Sequence, residues 1–180
     1  DNLDSGSTDL TTNITATTLN ITGDMAVTSI ETAVSNLMLE TAATSITNSG
    51  ALVFADSTLL GQLDLMTDST LDLDNLDATG QDVNIEAGGA TTMDGVMSND
   101  LSAMIAGTLT LDALTATGAV MLESDDVSIT NSTADSADVD ANGNVTLGNV
   151  TVTNALVAMA TGDAALTAVL AGSRDFEASG

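Results

Sequence analysis

Residues 138–143 read DVDANG, which matches the first half of a calcium loop, D-x-[DN]-x-[DN]-G. Asp138, Asp140 and Asn142 offer oxygen ligands on alternate residues, Gly143 permits a sharp turn, and Asn144 can add its carbonyl. That donor set suits a hard cation such as Ca²⁺. The twelfth position is Asn149 rather than a bidentate Glu, so no complete loop of this kind is present. An acidic surface turn uses the same residues without any ion. Asp72, Asp74, Asp77 and Asp82 form a second acidic group. On a strand, Asp72 and Asp74 face outward while Leu71 and Leu73 face inward. Such a row either binds cations weakly along its face or is simply solvated.

Other chemistry is poorly supplied. The chain has no His, Cys, Lys or Tyr, which removes most general bases, nucleophiles and oxyanion donors at neutral pH. A polysaccharide lyase needs a basic residue to take the sugar proton and aromatic platforms to hold the sugar. Here Arg174 is the only basic residue, and Phe54 and Phe176 are the only aromatics. A pair of carboxylates could in principle hydrolyse a glycoside, but no aromatic subsites accompany them. The expectation is a protein that is not an enzyme, with Ca²⁺ as the only candidate cofactor.

Charge narrows the partners. One basic residue stands against 26 acidic ones, for a net charge of −25. Nucleic acid and anionic membranes need Lys and Arg to replace their counterions, so both are excluded as partners. Divalent cations and screening salt are the expected small partners. No run approaches 18 consecutive apolar residues, so no membrane insertion is expected. Residue 1 is Asp and no signal peptide follows, which points to a processed or excised part of a longer product. Sequons at Asn13, Asn20, Asn131, Asn144 and Asn149 are as frequent as so much Asn, Ser and Thr produces by chance.

The elements that must position these groups announce themselves by repetition. TLDLDNLDATG (70–80) and TLTLDALTATG (108–118) agree at eight of eleven positions, 38 residues apart. Gly23, Gly61, Gly80 and Gly118 fit a period of 19, with Ala42 and Asn99 in the unfilled slots. Asn is the next best residue after Gly where φ must be positive. After Gly118 the spacing slips to Gly143 and then resumes at Gly162. Between these punctuation marks lie short alternating runs: Leu63 and Leu65, Leu71 and Leu73, Val83 and Ile85, Leu109 and Leu111, Val120 and Leu122, Val145 and Leu147. Leu76 and Leu114 supply a third inward position. Alternation over three to five residues is strand periodicity.

Two or three short strands per 19 residues describe a parallel β-solenoid, an all-β fold. The whole chain, 1–180, reads as a single domain of about nine coils. At about 4.8 Å per coil this makes a rod of roughly 43 Å, with a longer coil at 118–142 in which DVDANG bulges outward. Absent Pro fits, since nearly every strand must donate to neighbours on both sides. A β-sandwich also has short strands, but needs no fixed Gly register and usually has an aromatic core. The Ala- and Leu-rich segments 26–40 and 155–171 could pass for amphipathic helices; their place in the repeat makes them strands.

The phrases NGNVTLGNVTVTNALVAMATGDAALTAV (142–169) and GTLTLDALTATGAVMLESDDVSIT (107–130) resemble the repeat region of filamentous haemagglutinin-like exoproteins. The resemblance implies a right-handed parallel β-helix on a bacterial surface, exported by two-partner secretion or a related route. It supplies no functional residues, because such repeats are scaffolding. The expected function is an extracellular structural protein, a filament subunit that stacks head to tail with copies of itself. The alternative is a rod-like stalk fragment of a large adhesin, stabilised by Ca²⁺.

Overall fold

The alternating runs become rungs of a parallel β-solenoid in the computed structural model. It describes residues 2–4, 11–14, 18–22, 27–32, 36–41, 44–48 and 51–179, with side chains from Ile46 onward apart from 49–50 and 55–56. Each coil contributes three strand segments, and every segment pairs in parallel with its counterparts one coil away. The first face contains Leu63–Thr67, Val83–Ala87 and Leu101–Ile105. The second contains Leu71–Asp74, Thr91–Asp94 and Leu109–Asp112 in register. On the third, Asp77, Met97, Thr115, Thr133 and Thr151 stand one above another. Among the described residues there is no helix. The segments 26–40 and 155–171 fall within this scheme as strand.

Residues with like phase share a column. Leu71, Thr91, Leu109, Val127 and Val145 form one inward column, and Leu73, Met93, Leu111, Ile129 and Leu147 the next. Nearly all of these are fully buried. The core is therefore a continuous aliphatic file along the rod axis, built from residues distant in sequence and adjacent in space. Ala, Ser and Thr fill the narrow positions: Thr67, Ala87, Ile105, Ser124 and Ala141 succeed one another in a single column. Large side chains alternate there with small ones, as close packing of a thin lumen requires.

The coil is shorter than the sequence period suggests. About seven coils of roughly 18 residues stack, not nine of 19. Residues 118–142 form no longer coil: Ala119 lies beside Ser136 and Ser124 beside Ala141, a step of 17 residues. The apparent slip arises because glycines mark two different corners. Gly118 precedes the first face, two residues before Val120. Gly143 precedes the second, two residues before Val145, where its amide donates to Asp125 O at 2.6 Å and its carbonyl accepts from Gly162 N at 2.8 Å. Passing from Gly118 to Gly143 therefore crosses one coil and one additional face.

The expected positive φ at the Asn99 slot is not found; Gly23 and Ala42 lie outside the described residues. Left-handed backbone occurs instead at the corner joining second and third faces. Asn75, Gly95, Ala113, Asn131, Asn149 and Ala168 hold φ between 50° and 67°. One such residue per coil turns the chain sharply enough to start a new face. Asn tolerates this conformation because its side chain bonds locally; here Asn149 Nδ2 also donates to Asn131 Oδ1 at 2.9 Å, one coil away. Ala113 at φ 54° has neither relief. Ala113→Gly is expected to stabilise the protein by about 0.5–1 kcal/mol, read as a higher midpoint in urea with an unchanged slope.

Gly107 and Gly143 serve a different need. A Cβ on Gly107 would lie 2.8 Å from Ala90 N, and one on Gly143 would lie 2.9 Å from Asp125 O. At these corners the backbone of the coil below leaves no room for a side chain.

Candidate functional site

The structure lays the DVDANG segment out as strand and corner. Ser136–Ala141 is an extended strand of the first face, with Val139 buried and Asp138 and Asp140 exposed. Asp138 stands between Met121 and Val157, and Asp140 between Glu123 and Met159. Alternate residues of a strand lie about 6.6 Å apart along it, whereas Ca²⁺ gathers its oxygens at about 2.3–2.6 Å. An extended backbone cannot wrap them around one ion.

The other two residues are engaged elsewhere. Asn142 lies past the strand end; its amide donates to Ser124 O at 3.0 Å and its carbonyl accepts from Thr161 Oγ1. Asn144 accepts through Oδ1 from Asp163 N at 2.8 Å, while its own amide donates to Asp126 Oδ1 at 2.7 Å. Asp138 and Asp140 thus share a face, and Asn142 and Asn144 belong to the corner network. Gly143, expected to permit the loop turn, provides the close approach to Asp125 instead. Among the described residues, no three acidic, His or Cys side chains gather in a way that could hold a metal.

The second acidic group also divides. Asp72 stands beside Thr92 on the outward side of the second face, and Asp74, Asp94 and Asp112 form an outward column. Asp77 accepts from the amide and hydroxyl of Thr79 at 3.1 and 2.7 Å, closing a local turn. Asp82 accepts from Asn99 Nδ2 at 2.9 Å, one coil away.

This last contact belongs to a series that the sequence reading missed. Asp100 Oδ1 accepts from Ala119 N at 2.7 Å, Asp126 Oδ1 from Asn144 N, and Asn144 Oδ1 from Asp163 N. Each acceptor reaches the amide at the corner of the following coil. A signal was present: Asp82, Asp100, Asp126 and Asn144 each immediately precede the first inward aliphatic of a strand. Many of the carboxylates behind the net charge are therefore pins between coils.

Asp112 shows the electrostatic consequence. Hydrogen bonds from Thr130 Oγ1 at 2.7 Å and Asn131 Nδ2 at 2.8 Å, then from the Ala113 amide, hold its carboxyl below the ordinary value of 3.8. A lowered folded-state pKa stabilises above the unfolded value and stops doing so as pH falls through the folded one. Asp112→Ala is thus expected to melt lower than the parent at neutral pH, with the difference vanishing as acid carries the pH below 3.8.

Elsewhere the acids oppose each other. Glu123 and Asp140 are direct partners on adjacent strands, and like charges so placed destabilise by about 0.2–1 kcal/mol. Asp140→Asn is expected to raise the melting temperature at low salt and to have little effect in molar NaCl. Asp138→Asn, whose neighbours Met121 and Val157 are uncharged, should show the smaller gain.

Compared with family models, curated proteins and solved structures, the chain matches none.

Proposed function

We propose that this chain is an extracellular structural protein, a β-solenoid subunit that stacks head to tail with copies of itself into a surface fibre. The supporting observation is the state of its last coil. Ala164–Ala178 is hydrogen-bonded to Val145–Ala160 on one side, and no described residue pairs along the other. Leu166 continues the column of Leu147, yet it is 40% exposed where Leu147 is 1% exposed. Leu170 is 62% exposed. An open parallel edge above uncovered aliphatic columns is a template for another coil of the same pitch. Because the two contacting surfaces differ, each addition exposes a fresh edge and growth continues as a fibre.

Charge sets the conditions. Association must overcome repulsion between rods of net charge −25, so screening cations are expected to promote it. Arg174, the only basic residue, lies on this end coil in the column of Leu156. It offers a docking coil one carboxylate partner, but adds no apolar surface to the column.

Electron microscopy with and without Ca²⁺ tests the reading. Fibres should form, Leu166→Lys with Leu170→Lys should shorten them, and Arg174→Leu should speed their growth. Short dispersed particles under every condition would count against self-assembly.

A second reading keeps the rod and drops the polymer: the chain is a stalk segment of a large bacterial adhesin of the filamentous haemagglutinin kind, with Ca²⁺ screening its surface. It is favoured by parallel pairing that runs from Asn2 to Ala178. On this reading the leucine variants change stability and leave particle length alone.

A further inference from the structure

The first face carries an outward column that alternates thioether and carboxylate coil by coil. Met66, Glu86, Met104, Glu123, Asp140 and Met159 succeed one another in register. Met66, Met104 and Met159 are 47%, 56% and 39% exposed, unusual for large apolar side chains on so acidic a surface. A groove of about 560 Å³ runs beside Met66, Glu86, Met104 and Glu123, and a second of about 230 Å³ lies around Met104, Met121 and Met159. Methionine is unbranched and polarisable, so an exposed row of it adapts to varied apolar partners.

We propose that this column is a docking surface for a basic amphipathic helix. Charge complementarity selects the sign: the chain carries net charge −25 and no Lys, so a cationic segment is drawn to it and an acidic one repelled. Spacing selects the form. Met66 and Met104 are two coils apart, about 9.6 Å, and residues i and i+7 of an α-helix are about 10.5 Å apart. Apolar residues at i and i+7 meet successive methionines, while Lys or Arg at i+3 or i+4 falls over the intervening Glu86. From Met66 to Met159 the column spans roughly 24 Å, the length of about 16 helical residues. Asp140, first noticed as a candidate calcium ligand, becomes part of this surface.

The test is a titration of the whole chain with labelled synthetic peptides, followed by fluorescence anisotropy. One 16-residue peptide places Leu at i and i+7 and Lys at i+3 and i+4; the other has the same composition in permuted order. The matched peptide should bind at least ten-fold more tightly and keep measurable affinity in 0.5 M NaCl. Met66→Ser with Met104→Ser should weaken the matched peptide about ten-fold and barely change the permuted one. Both side chains are exposed, so the double variant should keep the parent melting temperature, checked by circular dichroism. Equal binding of the two peptides, no binding of the matched one, or indifference to the double substitution would overturn the proposal.

Discussion

Leu111→Ala lowers the unfolding free energy by about 2–5 kcal/mol, and Leu111→Asp leaves no cooperative unfolding transition. Leu111 is fully buried in the file between Met93 and Ile129. Truncation opens a void against the coils above and below, and a rigid stack relaxes little to fill it. A carboxylate there has no cation to pair with, for the only basic residue is Arg174, three coils away along the rod. Burying it unpaired exceeds the margin by which a domain is stable. Thr110, the neighbouring outward residue, provides the control: Thr110→Asp should change stability by no more than about 0.5 kcal/mol. Urea unfolding followed by far-ultraviolet circular dichroism distinguishes these outcomes. A cooperative, near-parental transition for Leu111→Asp would mean that the column does not face a dry lumen.

Deleting residues 109–126 should leave a folded, shorter solenoid. Leu109 and Val127 are partners one coil apart, so Val127 then follows Thr108 in the same phase and stacks on Thr91. Each coil contacts only its neighbours, and the loss amounts to one repeat and one interface. Deleting 119–143, the unit suggested by glycine spacing, should abolish folding. It joins a corner that opens the first face to a strand of the second, so aliphatic columns meet the wrong partners. Circular dichroism spectra and melting curves of both deletions decide the matter. If the second folded and the first did not, the 18-residue register would be wrong.

The same contrast shows which features were legible in the chain and which were not. In-and-out assignment is local, because successive residues of a strand point to opposite sides. Leu63 and Leu65, Val83 and Ile85, Leu109 and Leu111 therefore read correctly as inward, and Asp72 and Asp74 as outward. Parallel stacking could be read from the two near-copies at 70–80 and 108–118. Leu71 and Leu109 do share a column, two coils apart.

Phase was not legible. Register is settled by hydrogen bonds between residues about 18 positions apart, and glycine marks more than one corner of each coil. Merging Gly118 and Gly143 into one series produced both the 19-residue period and a bulge that does not exist. Gly80 misled for another reason: its φ of 75° belongs to a local turn, closed by Gln81 N donating to Ala78 O at 2.8 Å. The fate of DVDANG likewise waited on the fold. The spacing of Asp138, Asp140 and Asn142 fits a wrapped loop and an extended strand equally well; pairing with Ala119–Ser124 made it strand. The amino-acid order alone determined that alternating aliphatics would line a continuous core beneath an acidic surface. Tertiary structure decided which acids stand together and which pin one coil to the next, because those neighbours meet only when separate turns of the chain are stacked.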